Sequence, residues 1–146
     1  MNSDFTDYLT EIEMPGPLIE RVEYFHNLYT DLIRSEPERV FVSDLIQEDG
    51  SRSYDSLWFF TGSEVMEAHR FLDAESFDLD SASKITYWRV EKESYTVGSA
   101  TAASRMRFVF STEGGSTGDL KATGSNCDRL WTLMKEWFVP KSIAAP

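Results

Sequence analysis

Four basic residues in the second half of the chain are the side chains best suited to bind an anion. Arg105 and Arg107 stand two residues apart in a segment with strand-like alternation, which predicts that both lie on one face. Arg89 and Lys121 join them if their strands are neighbours. Guanidinium groups bind carboxylates through paired, charge-assisted hydrogen bonds. The set predicts either a site for a small anion or acidic peptide, or ordinary cross-strand pairing with Asp78, Asp80 or Glu91, which is the simpler interpretation.

Tyr87 and Trp88, with Tyr95 further along, form the second candidate binding feature. Aromatic side chains offer a large apolar surface together with a polar edge, which suits contact with a peptide or ligand. At strand spacing the same residues can instead fill the core or cover a sheet. The sequence leaves both interpretations open.

No combination of residues predicts catalysis, a metal site or a bound cofactor. His26 and His69 have no further His or Cys at metal-ligand spacing, so structural roles are expected. The acidic residues between Asp73 and Asp80 lack the central glycine and terminal glutamate of a calcium loop. Cys127 has no obvious histidine partner that would activate its thiol. The expected protein is therefore not an enzyme.

The charge balance excludes several classes of partner. The chain has 146 residues, and its 25 acidic and 14 basic side chains give a net charge of −11. Such an acidic surplus opposes binding to nucleic acid or to an anionic membrane. The surplus is concentrated in residues 1–50, whereas residues 101–146 are weakly basic. The exclusion is therefore strong for the N-terminal part and weaker for the part that carries the arginines.

Length and composition fit one globular domain in a reducing compartment. Hydrophobic residues make up 41% of the chain and aromatic residues 14%, which is enough to fill a core. The single cysteine cannot form an intramolecular disulfide. Residues 1–14 are acidic and lack the basic and then apolar order of a secretory signal. The predicted compartment is the cytoplasm.

A helix is predicted near each end of the chain. Residues 1–16 are acidic and end in Pro-Gly-Pro, which predicts a flexible lead that admits a short helix from Asp4 to Ile12. Apolar residues at helical spacing then predict an amphipathic helix over Pro17–Glu36, ended by Pro37. A heavy apolar face predicts a last helix over Ser125–Phe138, with Ser125 as its N-cap and residues 140–146 as a tail.

About seven strands are predicted between the helices, because β-branched and aromatic residues alternate there with polar ones between turn signals. The strand from Lys84 is either one long strand reaching Val97 or two, and a loop follows at Gly98–Ser104. These elements predict an α+β fold, a single domain over 17–139. Its bent antiparallel sheet or partly open barrel is capped by the C-terminal helix. The predicted strands are Val40–Gln47, Tyr54–Thr61, Glu64–Leu72, Phe77–Asp80, Lys84–Val90 with its continuation, Arg105–Thr112 and Gly118–Thr123.

The stretch Val40–Phe138 resembles the pleckstrin-homology-like superfold, especially its small bacterial versions. Seven strands lead there to a C-terminal helix with a large aromatic face, and Trp131 and Trp137 stand where that helix carries a buried tryptophan. The resemblance implies a binding module. Members that bind phosphoinositides use a basic loop between the first two strands, but the loop Gln47–Ser53 holds two acids and one base. Peptide binding by strand addition beside the C-terminal helix remains open.

The leading functional hypothesis is a non-enzymatic cytoplasmic interaction module that binds a protein or peptide, which can be a second copy of the chain. One alternative is a small acidic chaperone similar to bacterial secretion chaperones, which act as homodimers and need a helix within the strand region. A further alternative is a curved-sheet protein with a pocket that binds a small ligand or carries an enzyme site.

Overall fold

Helices flank a region of strands, so the predicted α+β class is confirmed. A computed structural model describes residues 1–97 and 101–142, except for the side chains of residues 95–103. Among the described residues, none of the helices is both long and apolar enough to cross a membrane. The elements are α1 (Ser3–Glu11), α2 (Gly16–Ile33), β1 (Arg39–Ile46), β2 (Arg52–Phe60), β3 (Glu64–His69), β4 (Asp78–Ser81), β5 (Ile85–Val97), β6 (Thr101–Thr112), β7 (Thr117–Thr123) and α3 (Asn126–Leu133). A π-helical turn, Met134–Phe138, and a 3-10 turn, Val139–Lys141, extend α3.

The strands form two antiparallel sheets, which corrects the expectation of one bent sheet. One sheet has the order β1-β2-β3-β4 and the other has the order β5-β6-β7. In the first sheet, Phe59 of β2 lies opposite Met66 of β3, which lies opposite Leu79 of β4. Alternation within a strand fixes which side chains share a face, but it does not fix which strands pair. For that reason the sequence predicted the strands and not the break after β4.

Contacts between residues divide the chain into two compact units, whereas the sequence predicts a single domain over 17–139. The first unit comprises Met1–Val42 and Tyr54–Ala82, and the second comprises Ser43–Ser53 and Ser83–Pro146. The first unit contains 16 acidic and 4 basic side chains, and the second contains 9 and 10. The acidic surplus of the chain therefore belongs to the first unit.

Helix α1 gives the N-terminal segment a defined structure, and the short helix that the sequence admitted there is confirmed. The side chain of Asn2 caps α1 by accepting a hydrogen bond from the N–H of Phe5 at 2.9 Å. The Tyr8 hydroxyl accepts a hydrogen bond from the N–H of Val42 at 3.0 Å. Phe5, Tyr8 and the neighbouring apolar residues are buried. Residues 3–11, which fall in the expected flexible lead, are thus packed into the first unit.

Helix α2 packs its apolar side chains into the same core as α1. Its residues Val22, Phe25 and Tyr29 are buried together with the apolar residues of β1, β2 and β3. The helix ends at Ile33, because Arg34 takes a left-handed conformation with φ of 63°. The predicted end at Glu36 is thus three residues too late, since a proline at 37 restricts only the residue directly before it.

Strands β5, β6 and β7 form the sheet of the second unit, and the C-terminal helical segment packs on one of its faces. The ring of Phe138 lies 4.6 Å from the ring of Phe108 and 4.8 Å from that of Phe110, measured between centroids. Strand β5 is continuous to Val97, which decides between one strand and two. Strand β6 begins within the loop expected at 98–104, of which residues 98–100 lie outside the described part.

The last helix begins where the sequence predicts, with Ser125 at the N-cap position before Asn126. Ser125 has helical backbone angles, however, and its side chain makes no cap hydrogen bond. Gly124 instead turns the chain out of β7 with φ of +57°, a conformation that glycine adopts without strain. Of the two tryptophans expected at a buried position, Trp137 is buried and Trp131 is 45% exposed.

Candidate functional site

Arg105 and Arg107 lie on one face of β6, which we call the charged face. Arg105 forms an ion pair with Glu93, which is directly opposite on β5. Arg107 donates two hydrogen bonds, of 2.9 and 2.7 Å, to the carboxylate of Asp119 on β7. A carboxylate oxygen of Glu91 lies 4.0 Å from the same guanidinium group. Both guanidinium groups are therefore engaged in cross-strand pairs.

The other two basic candidates share this face. Arg89 forms an ion pair of 2.9 Å with Glu91, two residues further along β5. Lys121 on β7 lies directly opposite Arg107 in the register of the strands. The structure thus brings all four predicted basic residues together, and each of the three arginines has an acidic partner.

A concave region of about 680 Å³ borders the charged face and extends to Lys92 and Met106 from the opposite face of the sheet. Hydrogen bonding from Arg107 holds the pKa of Asp119 below its ordinary value, so this pair stays ionised near neutral pH. An anion that bound either guanidinium group of Arg105 or Arg107 would have to displace a carboxylate from it. The lining residues carry charges of both signs and are Asp44, Leu45, Glu91, Lys92, Glu93, Arg105, Met106, Arg107 and Lys121.

Tyr87 and Trp88 do not form one aromatic surface, because neighbouring residues in a strand point to opposite faces. Tyr87 lies on the charged face, beside Arg89. Trp88 lies on the other face, where its ring centroid is 6.3 Å from that of Phe108. Tyr87 is 51% exposed and Trp88 is 41% exposed, so neither belongs to the core. The side chain of Tyr95 lies outside the described residues.

Trp88 lines an apolar groove between β5 and the C-terminal helical segment, which we call the β5–helix groove. Its volume is about 530 Å³, within the range of known ligand pockets (~300–1,000 Å³). The half-exposed Trp131 lies on the helical side, and Nζ of Lys92 is 5.5 Å from its ring centroid, a cation–π distance. The lining residues are Trp88, Val90 and Lys92 from β5, and Trp131, Met134, Lys135 and Val139 from the helical segment.

The spacing of two tryptophans in the sequence indicates that one of them lies away from the buried side of the last helix. Trp131 and Trp137 are six residues apart, and six residues rotate an α-helix by about 240°. Two residues related in that way lie about 120° apart around the helix and point in different directions. With Trp137 buried, Trp131 is therefore expected nearer the exposed side of the helix.

Strand β5 places backbone hydrogen-bonding groups next to the groove. It pairs with β6 along one edge. Along the other edge, the described residues include one pairing, a parallel bridge between Ile85 and Ser142. Every second N–H and C=O of an edge strand points away from its sheet, where an added strand can bind. The bridge to Ser142 shows that extended backbone pairs at this edge.

The titratable residues that were considered for catalysis are dispersed. His26 is buried in the first unit between Phe5 and Phe59, and burial lowers its pKa. His69 is exposed at the end of β3. Burial raises the pKa of the Cys127 thiol to about 11. In the part of the chain that the structure describes, no three His, Cys, Asp or Glu side chains are grouped as metal ligands.

Asp44 is a buried carboxylate that sequence reasoning missed. It accepts hydrogen bonds from the N–H of Thr123 at 3.0 Å, from the Thr123 hydroxyl at 2.8 Å and from the amide of Asn126 at 2.7 Å. The guanidinium of Arg52 lies 3.2 Å away. Burial raises the pKa of Asp44, and these hydrogen bonds oppose that rise. The network joins β1, β2 and β7 to the start of α3, which is a structural role.

The β5–helix groove is therefore the candidate site. It exposes large apolar side chains beside the outer edge of a strand, whereas the arginines of the charged face are paired with carboxylates. Comparison with known proteins adds no family: no protein-family model matches the chain, and neither a curated protein nor a solved structure shows significant similarity to it.

Proposed function

We propose that the protein is a non-enzymatic peptide-binding module and that its β5–helix groove takes up an extended segment of a partner protein. The observation that carries this proposal is the position of Trp88 and Trp131, two half-exposed aromatic side chains that line the groove from its two sides. Tryptophan is among the residues that most often anchor protein interfaces. Both side chains lose contact with water when a ligand fills the groove, which favours binding.

The binding mode that fits this site is addition of a strand to β5. The outward N–H and C=O groups of β5 bind the backbone of the added segment, which provides affinity for any extended sequence. Trp88, Val90 and Lys92 alternate along the strand and face the groove. Every second side chain of the added segment then enters the groove, and these side chains provide specificity.

The order of the elements supports a pleckstrin-homology-like architecture for the module. Four antiparallel strands are followed by three more and then by a helix that buries Trp137. Related domains of that superfold bind peptides by adding a strand beside the C-terminal helix. A secretion-type chaperone is less well supported, because it needs a helix within the strand region. The described residues from 39 to 123, which omit 98–100, form strands and turns.

Strand addition is tested with peptides selected on the whole chain from a random display library. We expect that backbone N-methylation at alternate positions of a selected peptide abolishes binding, because it removes the N–H donors that face β5. In NMR titrations, the amide signals that move should cluster in residues 86–94 and 131–139.

Methylation at the intervening positions is the matched control, since those N–H groups point away from β5. Two results would contradict the proposal. One is binding that survives methylation at every position, and the other is a set of shifted signals confined to α1 and α2.

A further inference from the structure

We infer that the segment bound by the β5–helix groove is acidic as well as apolar, with Asp or Glu next to a large apolar side chain. This inference rests on the proposed peptide-binding function and names the chemistry of the partner. The occupant is an extended segment of another protein.

The first observation is the charge of the groove itself. Its described lining residues include two lysines and no acidic residue. Lys92 lies on the strand side and Lys135 on the helical side, and both are exposed. A carboxylate on a segment held between these sides therefore meets an ammonium group from each of them. Next to apolar walls such pairs are less screened than on an open surface.

The second observation is the distribution of charge between the units. The chain as a whole is strongly acidic, which opposes an acidic partner. That surplus belongs to the first unit, while the unit that contains the groove has 9 acidic and 10 basic side chains. The acidity of the chain as a whole therefore does not argue against an acidic partner at a groove whose own described lining holds two lysines.

The third observation concerns the charged face, which has more cations than the groove but is a poorer acceptor for an acidic segment. Arg105 and Arg107 already bind Glu93 and Asp119. An incoming carboxylate gains a contact with either guanidinium group only by breaking an existing ion pair. In the groove, Lys92 contacts the ring of Trp131, and that contact is compatible with a carboxylate beside it.

The test uses a random peptide library selected on the whole chain at low salt. Its segments are about nine residues long, which spans residues 86–94 of β5. We expect enriched peptides to combine Asp or Glu with a large apolar residue. The double variant Lys92→Glu/Lys135→Glu should weaken the best peptide by more than about tenfold, and 0.5 M salt should weaken it in the unsubstituted chain.

Lys121→Glu is the control for charge reversal, because it makes at one exposed lysine of the charged face the change that the double variant makes at two. It should change the affinity by less than about twofold. Lys92→Arg/Lys135→Arg keeps both charges and should retain most of the binding. Urea unfolding of each variant shows whether its fold is intact.

Failure of this inference is distinguishable from failure of the proposed function. If peptide binding depends on Trp131 but not on Lys92 and Lys135, the inference that the bound segment is acidic is wrong. The proposal that the groove binds peptides is then still supported. If no selected peptide depends on Trp131, both are wrong.

Discussion

The two faces of the sheet β5–β7 differ in whether their exposed side chains have partners within the protein. On the charged face, Arg89, Arg105 and Arg107 are matched by carboxylates from the same or a neighbouring strand. On the opposite face, the C-terminal helical segment covers Phe108 and Phe110. Trp88 of β5 and Trp131 of the helical segment stay half exposed.

This difference shows that charge and concavity alone do not identify a binding site. The concave region of the charged face is larger than the β5–helix groove, about 680 against about 530 Å³. However, its arginines are already paired with carboxylates, so an anionic ligand has little to add at them. Exposed tryptophans gain free energy from any ligand that removes water from them. The groove is for this reason the better candidate.

The largest expected effect is the difference in stability between substitutions at a buried and at an exposed residue of the helical segment. Phe138→Ala should lower the free energy of unfolding by about 3–5 kcal/mol, because it leaves a cavity against Phe108 and Phe110. Trp131→Ala should lower it by less than about 1 kcal/mol, because that side chain is half exposed. Urea unfolding followed by circular dichroism measures both. Equal losses would mean that Trp131 supports the fold and is not available to a ligand.

The next effect compares two neighbouring aromatic residues that the strand sends to opposite faces. Trp88→Ala should weaken a selected peptide by about thirtyfold, equivalent to about 2 kcal/mol, since it removes an anchor from the groove. Tyr87→Ala removes a side chain of similar exposure from the charged face and should change the affinity by less than about twofold. Isothermal titration calorimetry gives both affinities. A larger loss for Tyr87→Ala would move the binding site to the charged face.

The same pair shows how far the sequence could be interpreted. Alternation and helical spacing predicted the seven strands and the three helices of the described residues, because these patterns depend on neighbours in the chain. Tyr87 and Trp88 were nevertheless grouped as one candidate surface, although the predicted strand separates their faces. The two sheets depend on pairing between distant segments, which no local pattern contains.

Asp44 illustrates the other limit of sequence reasoning. In the sequence it is one acid among many in an acidic region. Its partners Thr123 and Asn126 are about eighty residues away, and Arg52 lies across a turn. A buried carboxylate is recognisable only once its surroundings are known, since the same residue type on a surface has no such role. The groove depends in the same way on a strand and a helix brought together by folding.

The smallest expected effect concerns the ion pair between Arg107 and Asp119 on the charged face. Because Arg107 holds the pKa of Asp119 below its unfolded value of about 3.9, the pair stabilises the folded chain above that pH, and the contribution disappears as pH falls through the lowered pKa. Arg107→Gln should therefore lower the urea midpoint slightly at pH 7, and the difference should shrink as pH falls through the lowered pKa of Asp119, where the carboxylate takes up a proton. In an Asp119→Asn background, most of this pH dependence should be absent, with Glu91 as the remaining partner of Arg107.

The peptide affinity should stay the same in all these proteins at pH 7, because the ion pair lies on the face opposite the groove. A stability difference that grew towards acid pH would contradict the role given to the ion pair. A peptide affinity that fell when the ion pair was removed would show that the two faces are not independent.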